Sequence, residues 1–220
     1  MHSGPFFFCM PPRRQAGQAL PEFLLSGLLV LWLGSALYET LQWRQQREVL
    51  YLALAEAARA GSRQHLDPQA MAQAFEAGLR PLAPRRAAAL AASGLPRWRL
   101  EVLQPSAVHY RLHGRTRPGA PSPAIRHDRQ PEQHRLRPGP PTIFEANTLR
   151  LRLTYASRPA TPWLAALLPA LASWSADPCR RALLAAGWLP QRLELAIEMQ
   201  SHAQRWPDTA SVFAQRLPCH

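Results

Sequence analysis

The sequence predicts an α+β protein: a long amino-terminal helix, then a small antiparallel β-sheet domain with short helices and a Pro/Arg-rich loop. Three observations carry this expectation. Sixteen consecutive uncharged residues, Phe23 to Tyr38 (FLLSGLLVLWLGSALY), make an apolar helix. Beyond them apolar residues keep the helical spacing of i, i+3 and i+4 as far as Leu79. The spacing then drops to two around Trp98–Val102, Leu149–Tyr155 and Leu193–Met199, as half-buried strands require.

With Glu39 at an interface, the apolar stretch reaches Leu41. Roughly twenty helical residues rising 1.5 Å each span about 30 Å, the thickness of a bilayer's hydrocarbon. One transmembrane helix is therefore expected. Val49, Ala53, Ala57 and Leu50, Leu54, Ala58 continue two i, i+4 rows up to Gly61, so the same helix is expected to extend over 18–62. Its alanine-rich outer half leaves room for close approach of another helix or a sheet.

Asp67 is placed to cap a second helix with Pro68 at its first position, and Met71, Ala74, Phe75, Gly78 and Leu79 form its core stripe. A short alanine-rich helix is expected from Pro84 to Ser93, stopping at Gly94. Next, Trp98, Leu100 and Val102 alternate with Arg99 and Glu101, and Val108, Tyr110 and Leu112 alternate with His109, Arg111 and His113. These read as two strands of a hairpin turned around Gln104-Pro105-Ser106.

From Gly114 to Pro141 the chain has seven prolines and no aliphatic pair, too little apolar surface to offset the entropy of ordering. A disordered, exposed loop over 114–141 is expected. Strand pattern returns with Leu149, Leu151, Leu153 and Tyr155 on one face and Arg150, Arg152 and Thr154 on the other. Pro162 to Trp174 is apolar but too short to cross a bilayer. A buried helix is favoured there over a membrane-surface one, which Trp163 and Trp174 keep open. Asp177-Pro178 opens another helix that stops at Gly187, and Leu193, Leu195, Ile197 and Met199 mark a last strand. Three segments result: 1–17 ahead of the helix, the helix at 18–62, and an α+β domain at 63–220.

The 220 residues carry a formal charge of +12, and all 26 basic residues are Arg. Residues 1–17 hold two arginines and no acid, so without them the charge is +10, still enough to attract acidic polysaccharide or anionic lipid. Arg13 and Arg14 precede the apolar helix while Arg44 and Arg47 follow it, so flanking charge leaves orientation balanced.

An ordinary secretory signal carries its small-residue cleavage site after the apolar stretch. Here the good site, Ala16-Gly17, lies before it, and Glu22 stands at the helix mouth. Cutting there keeps the helix. A carboxylate inside a bilayer costs several kcal/mol unless paired, and a new amino terminus at Gln18, or that of a neighbouring copy, would supply the partner. The plainer alternative is a first-turn acid at the interface, favoured by the helix dipole.

Gly17 to Phe23 (GQALPEF) resembles the processing site of type IV prepilins: Gly before the cut, Glu at the fifth mature position, and Phe after it as in the type IVb branch. Ala53–Ser62 (ALAEAARAGS), Ile143–Tyr155 (IFEANTLRLRLTY) and Leu189–Ser201 (LPQRLELAIEMQS) are similar to the helix extension and two strands of the TadE-like pilus-assembly proteins of the tight-adherence (Flp) system. Pro21 departs from the aliphatic residue more usual there, and is tolerated in a first helical turn.

The resemblance implies a prepilin peptidase as partner, cutting between Gly17 and Gln18, with Glu22 and Phe23 as recognition and assembly residues. It also implies other pilin-like subunits as partners, and an inner-membrane, single-pass chain whose amino end is cytoplasmic. Cys9 would leave with residues 1–17. Cys179 and Cys219 would remain in an oxidising compartment, either as two thiols or as a disulfide worth about 3 to 4 kcal/mol.

No nucleophile sits in a hydrolase-type turn, and no P-loop or dinucleotide fingerprint occurs. A non-enzymatic protein with no cofactor is expected. For metal binding, His109 with His113 would be about 13 Å apart on a strand, and His127, Asp128 and His134 would fall in the loop. The arginines of 114–141 have no interleaved aromatic residue for base stacking, so no nucleic-acid partner is expected. Two functions follow: a pilin-like protein of tight-adherence pilus assembly, or a signal-anchored binding and adhesion module using the Arg-rich loop on acidic envelope polymers.

Overall fold

The computed structural model describes residues 19–82, 98–116, 122–206 and 213–215. The fold class is borne out: a long apolar helix precedes a small antiparallel sheet with short helices. By internal packing the chain divides into two units, Met1–Thr40 and Leu41–His220. The second unit thus begins inside the helix, at Leu41.

Helix α1 runs from Ala19 to Arg63 without a break, 45 residues or roughly 68 Å. Helix α2 spans Pro68–Gly78, capped as expected by Asp67, whose carboxylate accepts from the Gln69 N–H at 3.0 Å. A 3-10 turn follows at Arg80–Leu82, and the helix expected at Pro84–Ser93 lies outside the described residues. Strand β1 is Trp98–Gln104, helix α3 Ala107–His113, and strands β2 and β3 are Gly114–Arg115 and Ala124–Ile125. Helices α4 (Gln130–Leu136) and α5 (Ile143–Ala146) lead into strand β4, Thr148–Ser157. Helices α6 (Pro162–Ala172) and α7 (Pro178–Ala185) form a hairpin before strand β5, Leu189–Glu198. Strands β6 (Ala203–Gln204) and β7 (Phe213–Gln215) complete the chain.

The main sheet has the order β5-β4-β1-β7, antiparallel throughout, with Leu153 opposite both Leu100 and Leu193. Its inner face is the expected alternation: Leu149, Leu151, Leu153 and Leu100 are all fully buried. On the outer face Glu194 bridges Arg150 and Arg152, each at 2.8 Å. These pairs are solvent-exposed and contribute little to stability.

Against the inner face lies the outer half of α1, where Leu50, Ala53, Leu54, Ala57 and Ala58 have no exposed surface. Phe75 of α2 closes the layer, its ring 4.8 Å from that of Trp98, whose indole N–H donates to Glu76 at 2.6 Å. The end of α1 is tied to the β5–β6 connection. The Ser62 carbonyl accepts from the Gln200 N–H at 3.0 Å and from the Ser201 hydroxyl at 2.8 Å. At the other end of β5, Gln191 donates to Gln46 at 3.5 Å, so β5 runs alongside α1 in the same direction.

Two expectations are overturned. The segment Ala107–His113 is a helix, and β1 pairs with β4 and β7 rather than with a hairpin partner. Ser106 and His109 close the first turn, the Ser106 N–H donating to His109 Nδ1 at 3.1 Å. Tyr110 is buried as the strand reading also required, but His109 and His113 turn inward with it while Val108 and Leu112 stay more than 40 % exposed, the reverse of that reading. A seven-residue stretch is too short for its period to decide between the two.

The 114–141 segment is not a disordered loop over its described residues. It holds β2, β3 and α4, with β2, β3 and β6 in a second, three-stranded sheet. Ile125 is fully buried, the Asn147 amide donates to the Arg126 carbonyl at 3.1 Å, and the Arg205 N–H donates to the Pro123 carbonyl at 3.0 Å. The ordering comes from partners distant in sequence, which local composition does not report.

Helices α1 and α2 approach each other at Gly78, where an added Cβ would lie 2.6 Å from Ala53 Cα and 2.8 Å from its Cβ. Backbone cannot yield as a flexible side chain does. Gly78→Ala is expected to destabilise the folded unit by about 1–3 kcal/mol, read as a lowered unfolding midpoint of the detergent-purified chain; an unchanged midpoint would show that the two helices separate freely.

Candidate functional site

Glu22 lies in the first turn of α1 and is exposed. Phe23 beside it is 75 % exposed, and Leu24, Leu25, Leu28, Leu29 and Leu31 continue an uncovered apolar surface. Such a surface needs a partner or a bilayer, and from Pro21 the helix is long and apolar enough to cross one. Its Ser26, Ser35 and Thr40 hydroxyls are satisfied internally. Ser26 donates to the Glu22 carbonyl, Ser35 to that of Trp32 at 2.8 Å, and Thr40 to that of Ala36 at 2.8 Å. This back-bonding leaves none of the three in need of water. Glu39, expected at an interface, is only 3 % exposed. The cleavage-site residues Gly17 and Gln18 lie outside the described residues.

A second feature is a cleft of about 670 Å³ beside the small sheet, lined by Arg115, Arg126, Arg129, Glu132, His65 and His202 among others. Its floor is assembled from distant segments: the His127 N–H donates to His202 Nδ1 at 3.1 Å, and His65 Nδ1 lies 3.0 Å from the His202 carbonyl. Arg126 grips Asp128 through both its Nε and Nη2. That hydrogen bonding holds the Asp128 carboxyl down at about 2, and the pair is close to neutral. With Arg126 taken by Asp128, Arg115 and Arg129, both exposed, outweigh the lining acid Glu132 and leave the cleft weakly positive. Such a concavity suits an extended anion. The arginines had a signal in the sequence; His65 and His202 had none.

The metal candidates take other roles. His109 and His113 stand one helical turn apart on α3 instead of far apart on a strand. His113 Nε2 donates to the Pro141 carbonyl at 2.7 Å, and His109 Nδ1 accepts from Ser106. His134 packs on Phe144 at 5.2 Å, and Asp128 is taken by Arg126. Among the described residues no group of three or more His, Cys, Asp or Glu side chains is placed to hold a metal. Cys179 is disulfide-bonded, while Cys219 lies outside the described residues.

These features define a class, a helix able to cross a bilayer joined to a small α+β unit. Compared with family models, curated proteins and solved structures, the chain matches none.

His109 yields a pH dependence. Burial lowers its pKa below the ordinary 6.5, with nearby Glu145 opposing and His113 adding to the shift. An accepting Nδ1 also requires the neutral ring. The unfolded chain therefore takes up a proton that the folded chain refuses, so this contribution is complete above about pH 6.5 and is lost as pH falls below it. The unfolding midpoint is expected to drop between about pH 7 and about pH 5, and His109→Gln is expected to flatten that slope. An unchanged slope in the variant would assign the acid sensitivity to another group.

Proposed function

We propose that this chain is a non-enzymatic, membrane-anchored pilin-like protein that takes part in assembly of a tight-adherence pilus. The observation that carries the reading is Glu22. A carboxylate sits in the first turn of a single 45-residue helix whose early residues are uncovered and apolar and whose later residues are buried against a sheet. In this reading a prepilin peptidase removes residues 1–17. The amino end stays at the cytoplasmic face of the inner membrane, and the α+β unit lies on the other side. Helices of neighbouring subunits pack in the bilayer, and Glu22 neutralises an adjacent terminal ammonium and sets their register. A paired carboxylate removes the several kcal/mol that a lone one costs in hydrocarbon. The compartment is oxidising, which suits a disulfide at Cys179.

The basic cleft favours a second reading, a signal-anchored module that holds acidic envelope polymers through Arg115 and Arg129. It requires no processing at Gly17.

The amino-terminal sequence of the membrane-extracted protein, from cells with and without prepilin peptidase, tests the first reading. A start at Gln18 that is lost without the peptidase is expected; a start at Met1 in both would overturn it. Glu22→Ala is expected to impair piliation more than cleavage, and normal piliation would remove its register role. Arg115→Glu with Arg129→Glu is expected to leave piliation intact, and loss of surface attachment with pili present would move the function to the cleft.

A further inference from the structure

The α6–α7 hairpin has an unusual outer face. Leu168 and Ala172 of α6 pack inward with Leu164 on Leu184 of α7. The opposite side of α6, Ala166, Leu167, Ala170 and Leu171, continues into Trp174 and is exposed along its length. Leu167 is 48 % exposed, Leu171 39 % and Trp174 84 %. A solvent-facing side of a surface helix is normally polar, and this one has no polar residue.

Charge and position identify what covers it. Residues 158–188 contain three arginines, Arg158, Arg180 and Arg181, all exposed, against one acid. That acid, Asp177, is paired with Arg192 at 3.2 Å. Arg181 donates from both Nε and Nη2 to the Ser175 carbonyl, at 3.1 and 2.9 Å, which fixes a guanidinium next to Trp174. An exposed indole beside an anchored cation is the pairing found where protein meets lipid headgroups.

The hairpin leaves the sheet between Ser157 at the end of β4 and Leu189 at the start of β5, the end where Gln191 meets Gln46. Gln46 stands five residues into the unit that begins at Leu41, close in the chain to the end of the uncharged stretch at Tyr38. The apolar hairpin therefore lies at the end of the folded unit where that unit's own chain begins. We propose that it is an interfacial lipid anchor. Ala166, Leu167, Ala170, Leu171 and Trp174 enter the headgroup boundary of the membrane that α1 crosses, and Arg158, Arg180 and Arg181 contact anionic headgroups. This rests on the reading of α1 as a transmembrane helix.

The test uses the full chain, purified in detergent and reconstituted into vesicles of phosphatidylcholine and phosphatidylglycerol with acyl chains brominated near the headgroup or near the bilayer centre. Subtracting the emission of Trp174→Phe isolates Trp174, and Trp32→Phe isolates an indole in the middle of the apolar stretch. Trp174 is so exposed that its replacement removes no packing. Expected is loss of most Trp174 emission with shallow bromines, and loss of Trp32 emission with deep ones. Trp174 unquenched while Trp32 is quenched would overturn the lipid anchor alone. Blue-shifted but unquenched Trp174 emission would place it under protein, such as a second copy, and would also overturn it. Trp32 unquenched by any bromine would overturn the transmembrane reading beneath the proposal.

Discussion

The buried core that the outer half of α1 shares with the leucine face of the sheet is the constraint on which the rest of the folded unit depends. Leu50, Ala53, Leu54, Ala57 and Ala58 of α1 share one buried core with Leu149, Leu151 and Leu153, and α2 comes up to Ala53 only because position 78 is glycine. Small residues set how near α1 and α2 lie at Gly78, and at Gly61 an added Cβ would meet Met71 and Leu149. On the sheet's outer side Ala156 packs with Leu183 and Trp188, while the charged positions near the other end of β4 are less constrained. Its arginines and Glu194 pair in solvent, where exchange with water makes each contact nearly neutral in free energy.

How much of this was legible in the sequence followed from burial. Helix α1 was readable because an uncharged run passes into paired i, i+4 rows without a breaker, and α2 because Asp67-Pro68 is a strong start signal. Strands β4 and β5 were readable because one face of each is less exposed than the other over Thr148–Leu153 and Arg192–Glu198, so alternation persists over several residues. Helix α3 was misread because its inward side chains are His109, Tyr110 and His113, amphiphilic groups that carry little periodic signal. Strand β7 has three residues and is joined to β1 by backbone pairing, an interaction blind to side-chain identity.

The small sheet and its cleft show the same limit from the other side. Ile125 pairs with Ala203 across 78 positions, and Tyr110, whose phenol is pushed up by burial, donates to the Gln204 carbonyl at 3.1 Å. Long-range backbone bonds of this kind order a proline-rich segment without giving it an apolar run of its own. The candidate site was legible in part. Glu22 and the arginines of the cleft stood out as charges where charge is costly or abundant, whereas His65 and His202 join the cleft only through tertiary folding.

One consequence follows from β5 lying alongside α1 in the same direction, joined near its start through Gln46 and Gln191 and near its end through Ser62, Gln200 and Ser201. Tension applied to the chain at Leu41 along the helix axis meets that seam lengthwise. The buried contacts between residues 50 and 58 then bear the load together as a shear joint, instead of parting one after another from an exposed end. A helix held in this way transmits mechanical force into the sheet as a rigid strut, with the Ser62 knot as its far rivet.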